Sequence, residues 1–200
     1  MTTTLTLDEV EQISNAMLVA SGAAPHQAGP TAASIREAEA DGIRTVGLSY
    51  LPTYCDHVAC GKVAGDAIPV LAQLRPAVVS VDAANGFAHP AFLVGLGPLL
   101  QAARDCGIAV LSVSHSYSAG VLGWFVERVA DAGLVAMMFA NSSSLMAPYG
   151  GTTSFFGTNP IAWAVPRESG PPVVADLSSS TVAWVKVAEA AATNTPIPLG

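Results

Sequence analysis

Val10, Ile13, Met17 and Leu18 recur at the three-to-four-residue spacing of one helical face, which predicts a helix opening just after Thr6. Thr6 and Glu9 form a T-x-x-E pair in which each side chain can satisfy an otherwise unpaired N–H of the first turn, and Gly22 is a suitable stop. A second helix is expected from near Pro30, where a first-turn proline brings a compatible φ, through Ile35 and Ala38 to Gly42. A third spans about Leu51 to Cys60 and ends at Gly61. From about residue 77 the periodicity changes. Ala77–Val81 reads as a β-branched strand, Pro90–Asp105 as a helix and Ile108–Val113 as a strand. Gly120–Ala132 then reads as a helix and Leu134–Ala140 as a strand. After a Gly/Ser-rich stretch, Ile161–Val165 and Pro172–Ala175 read as strands and Ser179–Ala192 as a last helix.

This order predicts an α/β protein: an N-terminal helical unit over residues 1–65, then an α/β sheet domain over 66–200. Apolar strands alternating with helices point to a layered structure with a largely buried sheet. Pro196-Ile197-Pro198-Leu199-Gly200 is a proline-punctuated exit from the last helix, and the domain is expected to be incomplete.

Composition narrows the function. Apolar residues make up 51% and charged residues 12%, enough for a large core. The apolar excess fits either a single hydrophobic domain or a homo-oligomer, a dimer in the simplest case, hiding surface against its partner. A formal charge of −7, with eight basic residues scattered along the chain, argues against a nucleic-acid partner, because phosphate binding needs clustered Lys and Arg. Runs such as Leu134–Ala140 are too short to span a bilayer, and no secretory leader is visible. Cys55, Cys60 and Cys106 are odd in number and lack metal-site spacing. The expectation is a cytoplasmic protein with reduced thiols, no membrane association and no metal.

Three groups of residues could carry chemistry. The loop Asn141–Gly151, with Phe156-Gly157-Thr158-Asn159-Pro160 after it, follows a strand and is dense in polar side chains. Ligand sites of α/β folds form at strand ends, though an ordinary long loop would look similar. Asp176 with Ser178, Ser179 and Ser180 sits where a strand gives way to a helix, which reads first as an N-cap cluster and second as an anion seat. His115, Tyr117 and Ser118 follow the strand 108–113; a histidine there is an acid/base candidate or a structural residue. His57, His26 and His89 read as structural, exposed or capping. No G-x-G-x-x-G and no P-loop occur.

With these residues in hand, the chain resembles the malate/L-lactate dehydrogenase type II family, whose fold is not the Rossmann fold. The resemblance rests on Asn141–Gly151 with Phe156-Gly157-Thr158-Asn159-Pro160-Ile161-Ala162, on Glu37-Ala-Glu39-Ala-Asp41-Gly42, on Leu51-Pro52-x-Tyr54, on Val81-Asp82-Ala-Ala-Asn85-Gly86-Phe87-Ala88, and on Asp176-Leu177-Ser178-Ser179-Ser180, all in family order. Asn85-Gly86-Phe87-Ala88 is most similar to the Δ1-piperideine-2-carboxylate/Δ1-pyrroline-2-carboxylate reductase branch. The resemblance implies a small-molecule substrate, NADPH or NADH as cofactor, and Gly157, Thr158, Asn159, Pro160, Asp176, Ser178 and Ser180 as substrate- or cofactor-binding residues.

The departures are specific. The family reads Ser-His-Gly-x-x-Arg where this chain has Thr45-Val46-Gly47-Leu48-Ser49-Tyr50. The resemblance places Val46 at the family's proton donor and Tyr50 at its carboxylate clamp. Valine cannot transfer a proton, and tyrosine cannot make a bidentate charge pair. Ser118 falls where the family often has a second histidine, and Trp184 and Val185 where the imine reductases have His-Gly. The family also continues into a Gly-Gly-x-Lys-Gly-like segment of the cofactor site, so this chain is expected to hold NAD(P)H weakly unless a second chain completes it. The expected function is a diverged enzyme in which hydride transfer is lost or re-tooled to a non-redox step: cyclisation, isomerisation or elimination. The alternatives are a surviving reductase, with His115 or Tyr50 delivering the proton, and a non-catalytic remnant or partner subunit. Tyr50, His115, Tyr117 and Ser118 are the catalytic candidates, with Thr158 beside them.

Overall fold

The computed structural model describes residues 4–180, 187, 190, 191 and 193–197. The expected helix Ser179–Ala192, with Trp184 and Val185, lies almost wholly outside the described residues. The chain packs as two compact units that divide after Val121.

The first unit opens with α1 (Leu7–Ala20), and the Thr6/Glu9 capping box forms as its sequence requires. Helix α2 (Pro25–Ala40) begins five residues before the expected start. Pro25, just after extended Ala24, takes the first-turn position, and Pro30 lies inside the helix. Two 3-10 turns, Arg44–Val46 and Leu48–Tyr50, lead into α3 (Leu51–Ala59). Leu18, Ile35, Tyr54, Val58 and Phe87 are buried together in the core these elements share. Strands β1 (Val70–Arg75), β2 (Val78–Asp82) and β3 (Val110–Ser114) form one sheet in that order. Strand β2 runs antiparallel to β1 and parallel to β3. Helix α4 (Ala88–Cys106) is the crossover between the parallel pair and packs on the face that buries Val79 and Val81. Gly95 lets it approach, since a Cβ there would lie 2.7 Å from Leu111 Cδ1. The helices of residues 1–65 belong to this unit, with α2 packed on α4.

The second unit holds α5 (Gly123–Asp131) and an antiparallel sheet of β4 (Ala136–Phe139), β5 (Ile161–Val165) and β6 (Val173–Leu177). Ala162 and Ala164 are fully buried on the face that carries α5. This mixed α/β arrangement is not a doubly wound parallel sheet.

Two expectations change. Strand β1 was not foreseen, because Val70-Leu71-Ala72-Gln73-Leu74-Arg75 has no alternation and lies between Pro69 and Pro76. The sheets are also not largely buried: Val70, Val110, Met137 and Phe139 are all more than half exposed. Each three-stranded sheet has a helix of its own unit on one face, so alternate apolar residues face away from it. No described helix is long and apolar enough to cross a membrane.

Candidate functional site

The site in the first unit is assembled by a half-buried and a buried polar side chain, Glu39 and Gln27. Glu39, on α2, accepts from the Leu48 N–H at 2.8 Å and so fixes the turn that carries Tyr50. Gly47 is required there, because a Cβ would lie 2.2 Å from Glu39 Oε1. Tyr54 and His57 are three residues apart on α3, hence on one face. Across from them, the Tyr117 N–H donates to the Gly86 carbonyl at 2.8 Å, and the Ala88 N–H donates to the Tyr117 carbonyl at 3.2 Å. The 86–88 segment is itself pinned by buried Gln27, which accepts from the Phe87 N–H at 2.9 Å and donates to the Ala67 carbonyl at 2.7 Å. A Cβ on Gly86 would lie 2.8 Å from the Ala67 Cβ and 2.9 Å from both polar atoms of the Gln27 amide.

The result is a nest of edge-on rings. Tyr54 meets Tyr50, Phe87 and Tyr117 at centroid distances of 4.9, 5.7 and 5.9 Å, and Tyr117 meets His57 at 5.5 Å. His57 Nδ1 lies 2.5 Å from the Tyr117 hydroxyl, and Lys62 Nζ lies 3.4 Å from His57 Nε2. The Tyr117 phenol also neighbours those of Tyr50 and Tyr54, and the Tyr54 phenol neighbours the Ser118 hydroxyl. Burial pushes the Tyr54 phenol up to about 12. Tyr117 is also raised above the ordinary tyrosine value, first by burial and then by the neighbouring phenols of Tyr50 and Tyr54. Both therefore stay neutral, proton-bearing hydroxyls at physiological pH.

Of the catalytic candidates, Tyr50, Tyr117 and Ser118 meet around Tyr54. His115 faces a different group: its Nδ1 lies 3.0 Å from Asp82 Oδ2, with both side chains well exposed. The Asp82 carboxyl is lowered, mainly by the Ala84 N–H and then by His115. Val46 is half-buried in the first 3-10 turn. The histidine that does join the cluster is His57, which by sequence alone reads as structural. Its signal was present: Tyr54 and His57 share a helical face, and Lys62 follows the helix within a turn.

In the second unit, Ser142 organises the polar loop. Its hydroxyl accepts from the N–H groups of Thr158 at 2.7 Å and Asn159 at 3.3 Å, while Asn159 Oδ1 accepts from the Ser142 N–H at 3.1 Å. The Thr158 carbonyl accepts from the Ser178 and Ser179 hydroxyls, and the Ser178 and Ser180 hydroxyls lie 2.6 Å apart. Gly157 is required by packing, since a Cβ would sit 2.4 Å from the Ser142 carbonyl oxygen. Pro160 enters β5, and its carbonyl accepts from the Ala140 N–H. Asp176 also reaches the start of α5, where its carboxylate accepts from Gly123 at 2.9 Å and from Leu122; the helix it precedes in sequence lies almost wholly outside the described residues.

These donors bear on a dinucleotide. The N–H groups of Thr158 and Asn159 are already spent on Ser142. The basic side chains described in this unit are also engaged: Arg128 stacks 3.5 Å from the centre of the Trp124 ring, and Arg167 donates to the Pro171 carbonyl. Hydroxyls remain to bind a polar ligand, but the described residues do not by themselves fit a pyrophosphate. Among the described residues no cluster of three or more metal-ligating side chains occurs.

A family model described as Malate/L-lactate dehydrogenase matches residues 5–200. The chain belongs to that family. It is 42% identical over 200 residues to the (2R)-3-sulfolactate dehydrogenase (NADP(+)) of Chromohalobacter salexigens, covering 100% of this chain and 60% of that protein. It is 36% identical over 199 residues to the Delta(1)-pyrroline-2-carboxylate/Delta(1)-piperideine-2-carboxylate reductase of Pseudomonas syringae pv. tomato, covering 100% of this chain and 58% of that one. A crystal structure of delta1-piperideine-2-carboxylate reductase from the same organism matches with a TM-score of 0.94 at 36% identity, over 98% of this chain and 59% of that chain. A malate dehydrogenase from Entamoeba histolytica, at 21% identity and a TM-score of 0.91, shares the fold. The chain thus spans about 60% of the length of the curated relatives it matches. It has the α/β fold of the type II malate/lactate dehydrogenases, with the motifs of a family of 2-oxo acid and cyclic-imine reductases.

Proposed function

We propose that the chain belongs to a diverged small-molecule enzyme, cytoplasmic and homodimeric, that acts on a 2-oxo acid or cyclic imino acid. In this reading its ordinary hydride transfer is replaced by a non-redox step. The observation that carries it is Tyr50: the side chain at the family's carboxylate-clamp position is packed edge-on against buried Tyr54, while Val46 stands at the proton-donor position. What the first unit keeps is a neutral phenol, Tyr117, hydrogen-bonded to the His57 imidazole, which suits proton transfer. Isomerisation needs no more than that, whereas cyclisation and elimination would ask for further groups. NADPH or NADH, the cofactor of the family, would supply hydride where it is bound.

The test is NADPH oxidation by the protein with cyclic imino acids and 2-oxo acids, beside a Val46→His/Tyr50→Arg double variant. The expected result is no oxidation above the blank for the wild type and a measurable rate for the double variant. Substrate-dependent NADPH oxidation by the wild type would overturn the reading. It would favour a second one, a surviving reductase, which is supported by the Tyr117 hydroxyl as an alternative proton donor.

A further inference from the structure

The hydrogen-bond chain on α3 has a direction. An ammonium group can only donate, so His57 Nε2, 3.4 Å from Lys62 Nζ, is the acceptor of that contact. A neutral imidazole accepting at Nε2 carries its proton on Nδ1, and Nδ1 faces the Tyr117 hydroxyl at 2.5 Å. His57 is thus the donor and the Tyr117 oxygen the acceptor. The phenolic proton of Tyr117 is left to point away from His57. Lys62 is exposed and Tyr117 half-buried, so the chain runs from solvent inwards. His115 and Asp82, the other acid/base pair of this unit, form a separate exposed couple.

We infer that Tyr117 is the general acid of this enzyme, with His57 and Lys62 as positioning residues that hold its oxygen and return its proton, and that a substrate imine nitrogen or carbonyl oxygen accepts the phenolic proton. This rests on the non-redox reading above. In the step, the Tyr117 O–H bond breaks and an N–H bond forms on the imine, with the O–H electron pair remaining on the phenolate. The His57 Nδ1 proton then moves to the phenolate oxygen, a Lys62 proton moves to Nε2, Lys62 recovers one from water, and exchange with water (Nε2–H lost, Nδ1 protonated) restores the starting imidazole tautomer. Loss to water of a ring C–H proton beside the protonated C=N completes an imine-to-enamine isomerisation without any other reactant. Running in reverse, it exchanges that carbon's hydrogen with solvent.

The experiment is hydrogen–deuterium exchange at that ring carbon of Δ1-pyrroline-2-carboxylate, followed by proton NMR in D2O with no cofactor. The wild type should accelerate the exchange and Tyr117→Phe should lose roughly 100-fold of the rate, with its melting curve showing that it folds. His57→Gln and Lys62→Met should move the pH profile of exchange, which loss of packing alone would not do. Nitrogen-15 NMR of the imidazole in the wild type should show His57 protonated on Nδ1. Exchange in Tyr117→Phe at the wild-type rate, or a His57 protonated on Nε2, would overturn the Tyr117 assignment while leaving the non-redox reading intact. A wild type that does not accelerate exchange would overturn both.

Discussion

His57 and Tyr117, sixty residues apart in sequence, meet through a 2.5 Å contact between imidazole Nδ1 and the phenolic oxygen. α3 supplies one partner and the backbone bridge to Gly86 and Ala88 supplies the other. Two groups sharing one hydrogen bond do not contribute independently. In a double-mutant cycle, His57→Ala and Tyr117→Phe should each lower unfolding free energy, and the double variant should lose less than the sum by about 1 kcal/mol. Urea unfolding of the four proteins reads this directly, and strict additivity would show that the contact does not persist in solution.

Gly86 and Gln27 set where Tyr117 stands. A methyl group at residue 86 meets the Ala67 Cβ and the Gln27 amide below 3.0 Å, and Gln27 is fully buried, so little can give. Gly86→Ala should cost about 1–3 kcal/mol, the usual range for overpacking. Gln27→Leu leaves the buried Phe87 N–H without its acceptor and should cost a similar ~1–3 kcal/mol. The check is the melting temperature of each variant, together with tyrosine near-ultraviolet circular dichroism as a report on the ring cluster. Unchanged spectra in both would contradict the role assigned to the pair.

Tyr54 ties stability to alkaline pH. Its phenol is raised to about 12 by burial, against about 10 in an unfolded chain. Between those values the native state holds a proton that the unfolded state has released. Stability is therefore fully present below pH 10 and falls as pH rises towards 12. Two pKa units correspond to about 3 kcal/mol. Tyr54→Phe removes the ionisation and should flatten the fall, read as urea midpoints from pH 8 to 11. An equal slope in both proteins would assign the alkaline loss to other groups.

Much of this architecture is visible in the chain itself, and the parts that are not have a common cause. The Thr6/Glu9 capping box and strand Ile161–Val165 form where local pattern places them. The motifs Glu37–Gly42 and Asn85–Ala88 mark a family, yet their physical work is long-range: Glu39 binds the turn before α3, and Gly86 makes room for Gln27. Pro30 could pass for a helix start because sequence cannot show that Pro25 takes that role first. His57 and His115 look alike in sequence, since Asp56 adjoins one and Ser114 and Ser116 flank the other. Only the fold puts a tyrosine from residue 117 against α3. Asp176 reads in sequence as a cap of the helix that follows it, and its contact with Gly123, 53 residues earlier, is visible only in the fold.

That carboxylate at the start of α5 gives a charge-specific prediction. The positive end of a helix favours an ionised acid, but burial outweighs it here, and the Asp176 carboxyl is raised from its ordinary value despite the N–H groups of Gly123 and Leu122. As pH rises above about 4 the unfolded carboxyl ionises first, so the native state binds more protons and stability declines until the folded group has also ionised. Asp176→Asn keeps an acceptor for the two N–H groups and cannot ionise. It should match the wild type near pH 3.5 and exceed it at pH 7. Asp176→Ala leaves both N–H groups without an acceptor and should cost about 0.5–2 kcal/mol at either pH. Thermal unfolding of the three proteins at the two pH values separates these effects: an Asn variant as damaged as the Ala variant at pH 7 would mean that the negative charge, and not the hydrogen bonds, holds α5 in place.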